Sequence, residues 1–206
     1  MVADLEDSLE EESLEAALLP QDTDRLRLDL PRADDLADLV FLANNRRIAT
    51  MLAHLPHPFT IADGRAYIAN AARHTANRAK FAVRMRSTGR IIGAVGYSVL
   101  DEGGPVHLGY WIGEPFWGQG FATEAAQAMV DHVFSTTPMH VLAGAARVTN
   151  PASRRVLVKC GFQFSDQGMI SSRGAGGPIS VDRFMLDRST WRALKRWGRN
   201  SCLESA

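Results

Sequence analysis

Apolar positions along this chain keep two periods, and each change of period marks a turn. In "DRLRLDL", Leu26, Leu28 and Leu30 alternate with charges, which predicts a strand with one buried face. Pro31 then opens a helical stretch through "ADDLADLVFLANN", with Leu36, Leu39, Val40 and Ala43 on one side. "HLPHPFT" reads as a loop by its two prolines, and Thr60 is placed to cap a second helix over 61–74. "KFAVRMR" and "RIIGAVGYSVL" flank "STG" and read as a β-hairpin, followed by a further strand in "PVHLGYWI".

Helical spacing returns strongly from Ala122 to about Ser135. Ala122, Ala125, Ala126, Met129, Val130, Val133 and Phe134 form one face, while Thr123, Glu124, Gln127 and Asp131 form the other. A strand in "MHVLAGAARV", a short helix in "PASRRVLVKC", the segment "GFQF", a Gly-rich loop "SSRGAGGP" and a last strand "ISVDRFMLD" follow. Trp191, Leu194 and Trp197 recur at helical spacing in the tail, as a packing stripe does. Helices come first, then a meander, then alternating strands and helices, so the fold class is α/β of the mixed α+β kind.

Composition narrows this only a little. A length of 206 residues suits one domain with appendages, with an acidic arm over 1–22, a main domain over 23–190 and a tail over 191–206. The arm has no Lys or Arg, and Leu5, Leu9, Ala16, Ala17 and Leu19 give it at most a weakly amphipathic helix that Pro20 would stop. Formal net charge is zero, which predicts neither nucleic acid nor a membrane surface as partner. Cys160 and Cys202 form no metal-ligand spacing and no disulfide framework, so no metal is expected. With no apolar run of spanning length and no signal core, the expected location is cytoplasmic.

The chemistry lies in "GYWIGEPFWGQGFATEA", where glycines stop as the helix begins. A helix start carries unpaired N–H groups and the positive end of the macrodipole, and glycines before it let a ligand approach the backbone. That combination suits a phosphate cradle. Gly113 and Gly118 have P-loop spacing, but Gln119 and Gly120 stand where Lys and Ser or Thr are required. Gly118 and Gly120 begin a dinucleotide fingerprint, but Thr123 replaces its third glycine. A plain tight turn is the bland alternative.

A further cradle fits better. The run Trp117-Gly118-Gln119-Gly120-Phe121-Ala122 resembles the Q/R-x-x-G-x-G/A pyrophosphate loop of the GNAT N-acetyltransferases, with Trp117 in place of the usual Gln or Arg. "LGYWIGEPFWGQGFATEA" is similar to the RimJ/RimL-type branch, as is "VTNPASRRVLVKCGF" with its Asn-x-x-Ser helix start. The resemblance covers roughly 23–188. It implies the GNAT fold, a single domain with a twisted mixed sheet splayed between two central strands and flanked by helices. It also implies acetyl-CoA as co-substrate, an amine acceptor, and a monomer or homodimer.

Residue by residue, the resemblance assigns cofactor binding to the backbone N–H groups from Gly118 through Gln119, Gly120, Phe121 and Ala122 to Thr123. Trp111 and Ile112, at an expected strand bulge, become the candidates to meet the thioester oxygen. Asn150 would bond pantetheine amides, and Ser153 would hydrogen-bond the sulfur. As a plain sequence feature, Asn150 is also a good helix cap. The tyrosine that many members carry seven residues after the Asn is absent, since Leu157 stands there. His107, where many members have glutamate, is the candidate base, facing with Gly109 and Trp111 away from Val106, Leu108, Tyr110 and Ile112. Glu114 is the lesser candidate, as a solvated charge, and Tyr97 and Tyr110 read as core. The expected activity is transfer of acetyl to a protein α-amine or a small-molecule amine. The alternative is a GNAT-like sensor that binds acyl-CoA without transfer.

Overall fold

The chain forms eight strands, of which β1, at the end of the acidic arm, was not expected: β1 (Gln21–Asp22), β2 (Leu26–Asp29), β3 (Ala79–Met85), β4 (Ile91–Val99), β5 (Val106–Ile112), β6 (Val141–Arg147), β7 (Gln163–Ser172) and β8 (Gly177–Asp187). The helical segments become α1 (Leu36–Ala43), α2 (Arg46–Ala49), α3 (Ile61–Ala71), α4 (Phe121–Thr136), α5 (Pro151–Lys159) and α6 (Arg188–Leu203). These come from a computed structural model that describes residues 20–75, 77–100 and 103–203. The helix expected in the acidic arm lies outside the described residues.

One mixed sheet runs in the order β1-β2-β3-β4-β5-β6-β8-β7. Every neighbouring pair is antiparallel except β5 and β6. Away from the two-residue edge strand β1, that parallel pair is also the shortest ladder. β4 and β5 pair at seven positions, and so do β6 and β8, but β5 meets β6 only at His107↔Ala143 and Leu108↔Gly144. The sheet is therefore splayed at its centre, as expected.

Alternation along the strands sorts two cores. Phe81, Val95 and Leu108 pack with Met129 and Phe134 of α4 and Leu157 of α5. On the opposite face, Ala82, Ala94 and Trp111 pack with Leu39 of α1, Ile48 of α2 and Phe59. Helix α3 starts where Thr60 and Asp63 form a reciprocal capping box, and it ends at Ala71 rather than His74, with Ala72 and Arg73 already exposed.

Several expectations change. The helix expected from Pro31 begins as a 3-10 turn (Ala33–Asp35), and α2 forms separately under an Asn45 cap whose side chain accepts from the Arg47 N–H at 2.8 Å. The expected Gly-rich loop is a tight hairpin, because β7 continues to Ser172 and β8 resumes at Gly177. In the tail, Trp191 packs on Phe134 and donates to Asp131 at 2.7 Å, but Leu194 and Trp197 are 47% and 77% exposed, so the stripe does not pack as a whole.

Asp29 also departs from its expected place among solvated charges. It is buried, together with Asp35 and Arg84. The Arg84 guanidinium donates to Asp29 at 3.1 and 3.2 Å and to Asp35 at 2.7 and 2.9 Å, which ties β2, β3 and the start of α1 together. Burial alone would raise the Asp35 carboxyl, but the Arg84 hydrogen bonds, the Arg32 N–H and both guanidinium charges outweigh it and hold it below its ordinary value. Arg84→Leu leaves the buried Asp35 carboxylate without its ion-pair partner and Asp29 with only Arg27 and Arg32, and is expected to lower unfolding free energy by about 3–5 kcal/mol in urea titrations. Because the folded pKa of Asp35 is depressed, its contribution is present above the ordinary carboxylate pKa and is lost as pH falls through the folded value. Asp35→Asn should flatten that acid limb of the stability profile.

Candidate active site

The splay leaves backbone without a neighbour strand. The Gly113 N–H donates to the Ile92 carbonyl at 2.8 Å, which fixes the alternation of β5. Trp111 therefore points its N–H toward β4, while Tyr110 and Ile112 point theirs toward β6, which has already diverged beyond Leu108. The expected bulge at Trp111 and Ile112 is not there, since β5 stays in unbroken register with β4 over its whole length. Departure of β6 exposes the backbone instead. Of that pair, only Ile112 has its N–H in the gap. The Ile112 carbonyl, on the same side, accepts the Trp117 indole N–H at 2.6 Å.

The loop after β5 is built by a 3-10 turn (Glu114–Phe116) and by two left-handed residues, Gly118 and Gly120, with φ of 76° and 81°. A side chain is strained in that region, which explains glycine at both positions. Gly120 is the N-cap of α4 and offers no side chain to its first turn. The first helical bond runs from the Glu124 N–H to the Gly120 carbonyl at 3.0 Å. Among the described residues, no backbone or side-chain acceptor takes the N–H of Gly118, Gln119, Gly120, Phe121, Ala122 or Thr123. Six donors in sequence thus converge at the positive end of a sixteen-residue helix.

Side chains fix this loop from behind. Glu114, expected as a solvated charge, accepts from Asn45 at 2.6 Å and pairs with Arg47, whose guanidinium lies 5.1 Å from the Trp117 ring centroid. Arg25 donates to the Gln119 carbonyl at 3.0 Å, pairs with Glu124 at 2.6 Å and stacks 4.5 Å from the Phe121 ring centroid. Burial would raise the Glu124 carboxyl, but hydrogen bonds from Thr23 and Arg25 and the Arg25 charge bring it below its ordinary value. Sequence reasoning passed over Arg25, because a charge in an alternating strand carries no signal of so distant a partner.

Across the gap, Asn150 caps α5 by accepting the Ser153 N–H at 3.1 Å. The Ser153 hydroxyl lies 3.0 Å from the Tyr110 hydroxyl, which is also 3.1 Å from the Ser153 carbonyl. Tyr110 packs against the core as expected, but its phenol ends at Ser153. Burial raises that phenol well above its ordinary value, more than the Ser153 hydrogen bond lowers it, so it remains protonated at neutral pH. Tyr97 is buried in the core. Leu157 is buried beneath β6 and has no polar role.

His107 lies on the other face of the sheet. It lines a cleft of about 340 Å³ walled by Tyr67 of α3, Lys80 of β3, Trp111 of β5 and Arg147 of β6. The turn of the last hairpin closes one side. Its Arg173 N–H donates to the Ala53 carbonyl at 2.8 Å, and the Ser172 hydroxyl to the Leu52 carbonyl at 2.7 Å. Burial pushes the Tyr67 phenol up to about 12, opposed by the adjacent Trp111 indole. The structure thus gathers the glycine loop, Ile112, Asn150 and Ser153 around the split on one face, and sets His107 in a cleft on the other.

Comparison with known proteins gives this splayed sheet and glycine loop a family. A family model described as "Acetyltransferase (GNAT) domain" matches residues 25–163, and the chain belongs to the GNAT acetyltransferases. Among curated relatives, an uncharacterized N-acetyltransferase, p20, of Bacillus licheniformis is 33% identical over 110 residues, 52% of this chain and 61% of that protein. The chain therefore spans about three-fifths of that relative's length. Among solved structures, spermidine N-acetyltransferase from Vibrio cholerae, in complex with CoA and spermine, superposes with a TM-score of 0.66 at 20% identity, over 82% of this chain and 99% of that one. The ribosomal L7/L12 α-N-protein acetyltransferase RimL, in complex with coenzyme A, gives 0.68 at 16% identity, over 82% and 98%. At these identities the likeness to solved structures is one of fold. No helix among the described residues is long and apolar enough to cross a membrane.

Trp117→Phe keeps a ring beside Arg47 but removes the donor to the Ile112 carbonyl. Loss of one such bond should lower stability by about 0.5–1.5 kcal/mol in chemical denaturation and speed hydrogen exchange in the loop.

Proposed function

We propose that the chain is an acetyl-CoA-dependent N-acetyltransferase that acts on a primary amine, either a small molecule or a protein α-amine. The observation that carries this reading is the row of six unengaged N–H groups from Gly118 to Thr123 beside the split between β5 and β6. Those donors and the dipole of α4 suit a pyrophosphate, and the left-handed glycines leave no Cβ between it and the backbone. Further along, the Ile112 N–H faces the gap and is the group to meet an acyl oxygen, with Asn150 opposite it. When bound, acetyl-CoA supplies an activated thioester whose carbonyl carbon an amine can attack with loss of thiolate.

The chain's own part is to manage protons on the two sides of that split. On the cleft side, the His107 imidazole takes the proton of the acceptor ammonium, freeing the nitrogen lone pair. On the α5 side, the Ser153 hydroxyl donates a hydrogen bond to the leaving sulfur as negative charge develops there. The Tyr110 phenol 3.0 Å away holds that hydroxyl in position, and the thiolate takes its proton from solvent. The sensor alternative rests on the missing tyrosine at Leu157 and on Trp117, and the Tyr110 phenol 3.0 Å from the Ser153 hydroxyl supports transfer over binding alone.

Release of free thiol from acetyl-CoA with a panel of primary amines tests the reading, and its absence with every amine would leave only a binder. Gly120→Val places a β-branched residue at φ 81°, a strain of about 1–2 kcal/mol, and crowds the cradle. A folded variant with CoA affinity reduced at least about tenfold in calorimetry is expected. Unchanged affinity would mean that the loop is only a turn.

His107→Gln should lower kcat by about 10²–10⁴-fold, leave CoA affinity alone and remove the acid limb of the pH–rate profile, because the base works as neutral imidazole. Tyr110→Phe leaves the Ser153 hydroxyl in place and should cost roughly two- to tenfold, the kinetic equivalent of one ordinary hydrogen bond. A His107→Gln enzyme with the parent's rate and profile would remove His107 from the mechanism.

A further inference from the structure

The charge of the His107 cleft is one-sided. Its described lining holds three cations, Lys80, Arg147 and Arg173, against one carboxylate, Asp63. That carboxylate is already engaged, since it accepts the Thr60 N–H at 2.9 Å and the Thr60 hydroxyl at 2.6 Å to start α3, and it feels the Arg173 charge only through space. None of the three cations forms an ion pair with a carboxylate among the described residues. Arg147 spends one N–H on the Thr50 carbonyl at 2.7 Å, which aims it along the wall between α2 and β6.

Lys80 is the most telling of the three. It stands on β3 opposite Gly96 of β4, with its ammonium 4.8 Å from the Tyr67 ring centroid. Burial, and then the charge of Arg78, pull its pKa below the ordinary lysine value. A partly desolvated cation held only by a ring face is poorly compensated, and an anion brought by a ligand would complete it. A polycationic acceptor would meet the opposite situation, with like charges at Lys80, Arg147 and Arg173. A cleft of about 340 Å³ matches a small molecule.

We propose that the acetyl acceptor is a small primary amine that also bears an anionic group, a carboxylate or a phosphate, seated by Lys80, Arg147 and Arg173 while its amine lies toward His107. This rests on the N-acetyltransferase reading above and adds the class of acceptor. Selectivity then comes from both signs: the cations attract the acidic group and repel acceptors with several ammonium groups.

Thiol release tests it with matched amines at equal concentration. Glutamate and aspartate form the carboxylate arm, and 2-aminoethyl phosphate the phosphate arm. The corresponding amino-acid amides, putrescine, spermidine and a short acidic peptide are the comparators. The expected result is a kcat/KM for at least one anionic small amine about tenfold or more above its uncharged counterpart and above the polyamines, the scale of one charge-assisted contact. Lys80→Met should shrink that ratio toward unity, chiefly through KM, with CoA affinity in calorimetry as the check on folding. Arg173→Gln, at the exposed rim, supplies a second variant with the same direction. Turnover in which amides, polyamines or the peptide outrun the anionic small amines overturns the proposal and leaves the acetyltransferase reading standing. No turnover with any amine, despite CoA binding, overturns both.

Discussion

Two central strands that share only two pairing positions and then separate set the terms for everything around them. A parallel pair in mid-sheet would ordinarily hydrogen-bond along its length, so early divergence leaves polar backbone unpaired in the interior. That deficit is confined by full ladders on either side, between β4 and β5 and between β6 and β8. The sheet can split without coming apart because each half is zipped to its outer neighbours. The split also connects the two faces, and on the proposed function a nucleotide-sized ligand and an amine would approach one carbon from opposite sides.

The loop after β5 follows the same logic at a smaller scale. Its side chains are spent on the protein: Trp117 on the Ile112 carbonyl, Glu114 on Asn45 and Arg47, and Gln119 on the Pro115 carbonyl. What remains uncommitted is N–H groups, rigidly presented. Preorganisation of this kind reduces the ordering that binding would otherwise require. The buried Asp29–Arg84–Asp35 cluster does comparable service at the far edge, where it anchors the chain leading into α1.

The strands and the glycine loop were legible in the sequence because each follows from a local rule, whereas the splay of the sheet was expected only from the family resemblance. Period-two alternation places Leu108 and His107 on opposite faces, and left-handed backbone demands glycine at Gly118 and Gly120. The Asn150 cap was legible for the same reason. Missing from such rules is anything about reach or distant charge. Alternation assigned Tyr110 to the core correctly, yet says nothing of where a phenol ends. Asp29 and Lys80 carry polar side chains in strands, and only the fold shows that the first is enclosed with Arg84 and the second turned into a cleft. The expected bulge failed because a local distortion of β5 was invoked for an exposure that β6 creates by leaving.

The pairing of Arg25 with Glu124 joins residues 99 positions apart in the chain, at the doorway of the anion cradle. A carboxylate in the first turn of α4 favours the helix but repels the pyrophosphate that the same helix end is suited to attract. Arg25 and Thr23 quench that charge before any ligand arrives. In electrical terms the loop carries its own internal counter-ion, supplied by the turn between β1 and β2. Helix stability and anion affinity, which would otherwise set opposite requirements at Glu124, are thereby decoupled by a residue that belongs to neither the loop nor the helix.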